Sequence, residues 1–101
     1  MSVQPTDQEA IERSVLLTHK VGLHARPSVK LTKLAKQYDA VIAIKPDDRE
    51  DWTDAKSIVK VMALKAKQGV TLHFKAEGSD AQSALDAMVG LVERDFDDGG
   101  D

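Results

Sequence analysis

The 101-residue chain contains no cysteine. This absence excludes disulfides, thiol catalysis and cysteine-based metal sites, and it fits a reducing compartment, so we expect a cytoplasmic protein. No apolar run approaches the roughly 20 residues of a membrane-spanning helix, and we expect no membrane insertion. Aromatic residues make up only 4% of the chain. Because they are scattered, they do not form a base-stacking platform, and nucleic acid is not an expected partner.

The remaining composition is that of an ordinary globular chain, with 42% hydrophobic and 31% charged residues and room for one core. The formal net charge of −3 is unevenly divided, because the basic residues outnumber the acidic ones only in the first 45 positions. A locally basic surface suits an anionic ligand or an acidic partner. The histidines His19, His24 and His73 lack a metal-ligand spacing, so we expect neither a metal nor a cofactor.

Hydrophobic periodicity predicts strand, helix, strand, strand, helix, strand and helix in a single domain over residues 11–96. The helices are expected at about 27–38, 58–64 and after Ser79, which forms a predicted capping box with Gln82. This order favours an α+β open-faced β-sandwich, with a four-stranded antiparallel sheet and three helices on one face. We expect residues 1–10 to be a flexible leader and residues 97–101 an acidic disordered tail.

The segment from Gly22 to Pro27 contains the main candidate for chemistry, His24. Pro27 is tolerated in the first turn of a helix, where its missing N–H would have no partner anyway. The helix then directs its N–H groups and positive dipole end towards His24, and Arg26 adds a cation. A neutral imidazole in this setting can accept a phosphoryl group. The alternative is an ordinary surface histidine; His19 and His73 lack the surroundings that distinguish His24.

Two segments of the chain resemble the HPr family, the histidine-containing phosphocarriers of the bacterial phosphotransferase system. The segment from Gly22 to Pro27, followed by a small residue, resembles the family's phosphorylation motif. The segment from Lys56 to Leu64 resembles its regulatory-serine helix, and the order of elements is similar to that of the HPr fold over residues 11–96. The resemblance therefore implies a stoichiometric phosphoryl carrier rather than an enzyme that turns over a small substrate.

The resemblance also implies roles for individual residues. His24 would accept phosphate at Nδ1 from enzyme I, charged by phosphoenolpyruvate, and pass it to an enzyme IIA in sugar uptake or a regulatory branch, with Arg26 as the phosphate clamp. Ser57, a predicted N-cap, matches the serine modified by a serine kinase/phosphorylase in some bacteria. The implied partner-docking residues are Val29, Lys33, Lys36, Ile58, Val59 and Ala63.

An alternative function remains open, a regulatory protein-interaction module controlled by phosphorylation at Ser57. A phosphate there would add about −1.5 to −2 charge beside the docking residues and repel acidic partners. An RNA-binding or metal-chaperone role lacks a stacking pair or a ligand cluster in the sequence. Val21, Lys60 and Lys65 depart from the usual pattern of the family and suggest a specialised branch, which the sequence does not identify.

Overall fold

The computed structural model describes residues 10–97. Its elements are, in order, β1 (Ile11–Leu16), α1 (Ala25–Ala35), β2 (Val41–Pro46), β3 (Thr53–Asp54), α2 (Ile58–Ala63), β4 (Thr71–Glu77) and α3 (Ala81–Glu93), with a 3-10 turn at Asp95–Asp97. The predicted order of strands and helices is confirmed. Residues 1–9 and 98–101 lie outside the described residues, so the flexible leader and the disordered tail stay predictions.

Within residues 10–97 the strands form one antiparallel sheet in the order β1-β4-β2-β3. The central strand β4 alternates between a buried face and a partly exposed face, as expected for a strand with only one face against the core. Its buried side chains are Leu72, Phe74 and Ala76. The predicted open-faced arrangement is therefore confirmed.

The helices cover the buried face of the sheet. Helix α1 buries Leu31 and Ala35 and packs Leu34 against the edge of the core, which is the predicted stripe at helical spacing. The helix ends at Ala35, earlier than predicted, and Tyr38 packs against the core from the segment that follows it. Helix α3 contributes a second stripe through Ala84, Leu85, Met88 and Val92. The core thus lies between the sheet and the helices, and the start of α1 lies at one end of this layer.

The predicted capping box at the start of the last helix is wrong. Asp80, rather than Ser79, is the N-cap of α3, and its side chain makes no capping hydrogen bond within the described chain. The Asp80 carboxylate instead accepts the backbone N–H groups of Asp39 at 2.9 Å and Ala40 at 2.8 Å. These groups lie just before β2, so Asp80 joins two segments that are distant in sequence, a contact that local capping rules do not reveal.

The Asp80 contact makes the stability of the protein dependent on pH. The N–H of Asp39 is the main cause that lowers the pKa of the Asp80 carboxyl below its usual value; the N–H of Ala40 and the Lys56 ammonium act in the same direction, and burial opposes them. A lowered pKa in the folded state means that the carboxylate stabilises the fold at neutral pH, and that this contribution is lost as the pH falls through the folded-state pKa.

We therefore predict that Asp80→Ala lowers the thermal unfolding midpoint at pH 7 and that its difference from the wild type narrows as the pH falls from about 5 to below about 3. Circular dichroism melts across this range measure both quantities. Asp48→Ala, which removes an exposed carboxylate, is the matched control. A midpoint difference for Asp80→Ala that stays constant over the whole range would contradict the role assigned to the carboxylate.

Candidate functional site

His24 is the residue at which the chain enters α1. It is the N-cap of that helix, with extended backbone angles (φ −86°, ψ −165°), and its side chain is exposed. Its carbonyl oxygen accepts the N–H of Ser28 at 3.1 Å, the first hydrogen bond of the helix. The N–H groups of Ala25 and Arg26 precede that bond, and Pro27 has no N–H. The structure therefore places the positive end of α1 beside His24, as predicted.

The charge of the first turn of α1 also suits an anion. Arg26 is the second residue of the helix and is exposed, and the first turn contains no acidic residue. The helix begins at Ala25, slightly earlier than the sequence predicts, so Pro27 occupies its third position rather than its first. A phosphoryl group on His24 would therefore face a helix terminus without a nearby like charge from its own turn.

The turn before His24 is held by a close approach to another loop. Leu23 is almost completely buried, and its N–H donates to the carbonyl oxygen of Ala66 at 2.9 Å. Gly22 has a left-handed φ of +71°, and a Cβ at this position would overlap the Ala66 oxygen. Position 22 thus requires glycine for two separate reasons, its backbone conformation and the lack of space.

A buried hydroxyl ties the turn to the helix from the inside. Ser28 is fully buried, and its Oγ donates to the carbonyl oxygen of Leu23 at 3.3 Å. The Thr32 hydroxyl donates in turn to the Ser28 carbonyl oxygen at 3.0 Å. Because Leu23 is held on both sides, by Ser28 and by Ala66, the backbone directly before His24 has little freedom.

The approach of the two loops creates an open cavity of about 400 Å³ beside His24. One wall comes from the turn and the other from the end of α2 and the loop that follows it. The lining residues are Val21, Leu23, His24, Ala25, Met62, Lys65, Ala66 and Lys67. Lys65 and Lys67 add positive charge beside the His24 imidazole, the candidate nucleophile for phosphate.

The predicted site lacks the four lining residues from the end of α2 and the loop after it, Met62, Lys65, Ala66 and Lys67. In the sequence, Lys65 stands out only as an unusual charge near the second helix. It has a left-handed φ of +49°, which is common for the residue that follows a helix but is usually adopted by glycine. The contact between Leu23 and Ala66, which brings these residues to His24, has no local signal in the sequence.

The predicted docking residues lie on α1 and α2, which run antiparallel. The Lys56 ammonium at the start of α2 donates to the carbonyl oxygen of Tyr38 after the end of α1, at 2.7 Å, whereas Met62 near the end of α2 lines the cavity with His24. Of the predicted docking side chains, Val59 is 74% exposed and Val29 is 39% exposed. Lys33 and Ala63 are exposed as well, and Ile58 is half-buried.

Lys36 and Ser57 lie away from His24. Lys36 is the C-cap of α1, roughly 16 Å along the helix axis from Ala25 at 1.5 Å per residue. Ser57 is the N-cap of α2 and therefore lies at the opposite end of that helix from the cavity. Its Oγ accepts the N–H of Lys60 at 3.3 Å, so the predicted capping role of Ser57 is confirmed, while its phosphorylation stays a prediction.

The other two histidines have different surroundings. His73 lies on the open face of the sheet, with its Nε2 3.0 Å from Asp47 Oδ1. The sequence does not assign His19 to the site, but His19 is buried with its ring centroid 5.8 Å from that of His24.

Among residues 10–97, no group of three or more histidines and carboxylates is arranged to hold a metal ion. None of the helices in this range is long and apolar enough to cross a membrane.

Comparison with known proteins agrees with this geometry. The family model described as "PTS HPr component phosphorylation site" matches residues 11–94. The chain belongs to the HPr family. The phosphocarrier protein HPr of Cupriavidus necator is 38% identical to it over 89 residues, which cover 88% of this chain and 98% of that protein. The phosphocarrier protein NPr of Shewanella violacea is 38% identical over 88 residues, with coverages of 87% and 94%.

The solved structures include an HPr fold of the same architecture. The crystal structure of HPr-C-His from Thermoanaerobacter tengcongensis superimposes with a TM-score of 0.80 at 33% sequence identity, covering 87% of this chain and 97% of that one. Membership of the HPr family and the HPr-like fold, both expected from the sequence, are thereby confirmed. The chain is a phosphocarrier of the phosphotransferase system, of the HPr or NPr kind.

The close approach at Gly22 gives a stability prediction. Gly22→Ala should lower the free energy of unfolding by about 1–2 kcal/mol for the left-handed backbone and by a further 1–3 kcal/mol, approximately, for the overlap with the Ala66 oxygen. Urea denaturation measures the total.

Gly69→Ala is the matched control for this substitution. Gly69 also has a positive φ, of +96°, but a Cβ there would have no neighbour within 4 Å. It should therefore show only the backbone cost, about 1–2 kcal/mol. Equal losses in the two variants would show that the space between Gly22 and Ala66 is not limiting.

Proposed function

We propose that this HPr-family protein carries a phosphoryl group on Nδ1 of His24. Enzyme I, charged by phosphoenolpyruvate, supplies the group in the cytoplasm, and an enzyme IIA receives it. The observation that carries this proposal is the exposed imidazole of His24 at the N-cap of α1, beside a cavity that contains Lys65 and Lys67. Exposure matters because both protein partners must reach the same nitrogen in turn.

The transfer step requires only the residues already at the site. The lone pair of the His24 nitrogen attacks phosphorus, a new N–P bond forms, and the bond to the donor breaks with its electron pair leaving on the donor. The phosphoryl oxygens then face the N–H groups of Ala25 and Arg26, and the cations of Arg26 and the two cavity lysines balance their charge. Delivery to the acceptor is the same step in reverse, with the acceptor group as the nucleophile.

The strength of this site suits a carrier. Charge at a helix terminus is worth about 0.3–1 kcal/mol when exposed and up to ~2 kcal/mol when partly buried. Because His24 is exposed, the lower values apply, and about 1.4 kcal/mol corresponds to a tenfold change in an equilibrium constant. The helix end therefore favours the phosphorylated form modestly and does not trap the group.

The surface around His24 supports docking of both partners at one place. Val21 is 60% exposed and Met62 is 39% exposed beside His24, and Val29 and Val59 extend the apolar area on α1 and α2. Lys33 and Lys65 add positive charge near these side chains. Such a surface fits a partner with an apolar patch that is bordered by carboxylates. Enzyme I and enzyme IIA would use it alternately.

The decisive experiment is a phosphorylation assay with phosphoenolpyruvate and enzyme I. The wild type should gain one acid-labile, alkali-stable phosphate per chain, measured by intact-mass spectrometry. His24→Ala should gain none, and the matched control His73→Ala should be labelled like the wild type. Histidine labelling of His24→Ala would show that the phosphoryl acceptor is another residue.

The receiving branch is identified by extending the same assay. Relatives called HPr and NPr both share 38% identity with this chain, so the acceptors tested should include enzymes IIA of sugar uptake and of regulatory systems. The phosphorylated protein should lose its label to at least one of them. Retention of the label with every enzyme IIA of the source cell would contradict the proposed carrier role.

Regulation through Ser57 by a serine kinase/phosphorylase is a second proposal, favoured by the position of Ser57 directly before Ile58 and the exposed Val59. A phosphate there would place negative charge next to the docking surface and weaken the binding of an acidic partner. Phosphorylation at Ser57 should slow transfer from enzyme I, measured by quenched-flow labelling, and Ser57→Ala should be insensitive to the kinase.

A pull-down tests the alternative function, a regulatory module that acts only by binding a partner. In that case the partner should still bind His24→Ala and should no longer bind Val59→Asp.

A further inference from the structure

His19 is a buried polar residue next to the site. It follows β1 and is only 8% exposed. Its ring is close to two others: the centroid of His24 is 5.8 Å away at an interplanar angle of 48°, and that of Phe96 is 5.8 Å away at 73°. The transfer step described above does not use His19.

The polar atoms of His19 hold the turn that leads to His24. Its Nδ1 accepts the N–H of Val21 at 3.3 Å, and its carbonyl oxygen accepts the N–H of Gly22 at 3.1 Å. An imidazole nitrogen accepts a hydrogen bond only when it carries no proton. This contact therefore assigns the ring proton of neutral His19 to Nε2.

The turn at Asp95–Asp97 also contacts the His19 ring. Phe96 is fully buried in a left-handed conformation with φ of +58°, and its carbonyl oxygen accepts the Lys30 ammonium of α1 at 2.9 Å. The neighbouring Asp95 carboxylate accepts the hydroxyl of Thr18 at 2.6 Å. The charged or titratable groups in these contacts are His24, Lys30 and Asp95.

We propose that His19 is a positioning residue for phosphoryl transfer. Its Nδ1 fixes the backbone at Val21, and with it the turn that presents the His24 imidazole. In this role His19 touches neither partner nor the phosphoryl group; it acts through the turn that leads to His24. The inference rests on the proposed carrier function, since its kinetic consequence is a change in the rate of transfer to His24.

Two substitutions separate the hydrogen bond from the volume of the ring. His19→Asn keeps an acceptor, because the Asn Oδ1 is separated from the backbone by the same number of bonds as the His Nδ1. His19→Phe keeps the ring and loses the acceptor. We expect His19→Phe to slow single-turnover transfer from phosphorylated enzyme I by about tenfold, because small misplacements of a reacting group have large kinetic effects. His19→Asn should restore the rate to within about twofold of the wild type.

A spectroscopic readout on the wild type makes the test independent of variant folding. Long-range ¹H–¹⁵N correlation spectra above pH 8 should show His19 with its proton on Nε2, and a proton on Nδ1 would overturn the assignment. Equal transfer rates for His19→Phe and His19→Asn, both folded by circular dichroism, would overturn the proposal too. Failure of the carrier function itself is distinguishable, because wild-type His24 would then remain unlabelled whatever the state of His19.

Discussion

The hydrogen bond from the Leu23 N–H to the Ala66 carbonyl oxygen is the contact on which the site depends. It joins the turn before α1 to the loop after α2, and the space between them accommodates glycine but not a Cβ at position 22. Because these loops meet, a cavity forms beside His24, and Lys65 and Lys67 line it. His24 is consequently presented between two basic elements rather than on an isolated helix end.

The contacts around this bond divide into a rigid support and an accessible surface. Leu23 and Ser28 are buried and hydrogen-bonded, whereas His24, Arg26 and the neighbouring valines are exposed. A carrier needs both properties, since the acceptor nitrogen must be well oriented and yet reachable by two different proteins. The modest electrostatic strength of an exposed helix terminus is compatible with repeated loading and release.

The fold could be predicted from the sequence because its signals are local. The alternation in β4 and the helical stripe through Leu31 and Ala35 are each contained in one segment, and so is the sequence from Gly22 to Pro27 that places His24 at a helix start. The remaining features depend on contacts between distant segments. Met62 and Lys67 lie beside His24 where the loop after α2 meets the turn before α1, and Phe96 returns from the end of the chain to pack against His19.

The same distinction explains the error at α3. Ser79 and Gln82 satisfy a local capping rule, but Asp80 occupies the N-cap position and its carboxylate binds N–H groups ahead of β2. The Asp80 carboxylate and the N–H groups of Asp39 and Ala40 are distant in sequence, so no local pattern predicts that they bind each other. Lys65 is a similar case, because its left-handed backbone would have been expected of a glycine.

We propose that the phosphoryl group on His24 is held by the N–H groups at the start of α1 and by the adjoining basic loop. Amide ¹H–¹⁵N spectra recorded before and after phosphorylation by enzyme I and phosphoenolpyruvate test it most directly. We expect the largest downfield shifts at Ala25 and Arg26, with smaller changes over residues 65–67. A phosphorylated protein in which these amides are unchanged would contradict it.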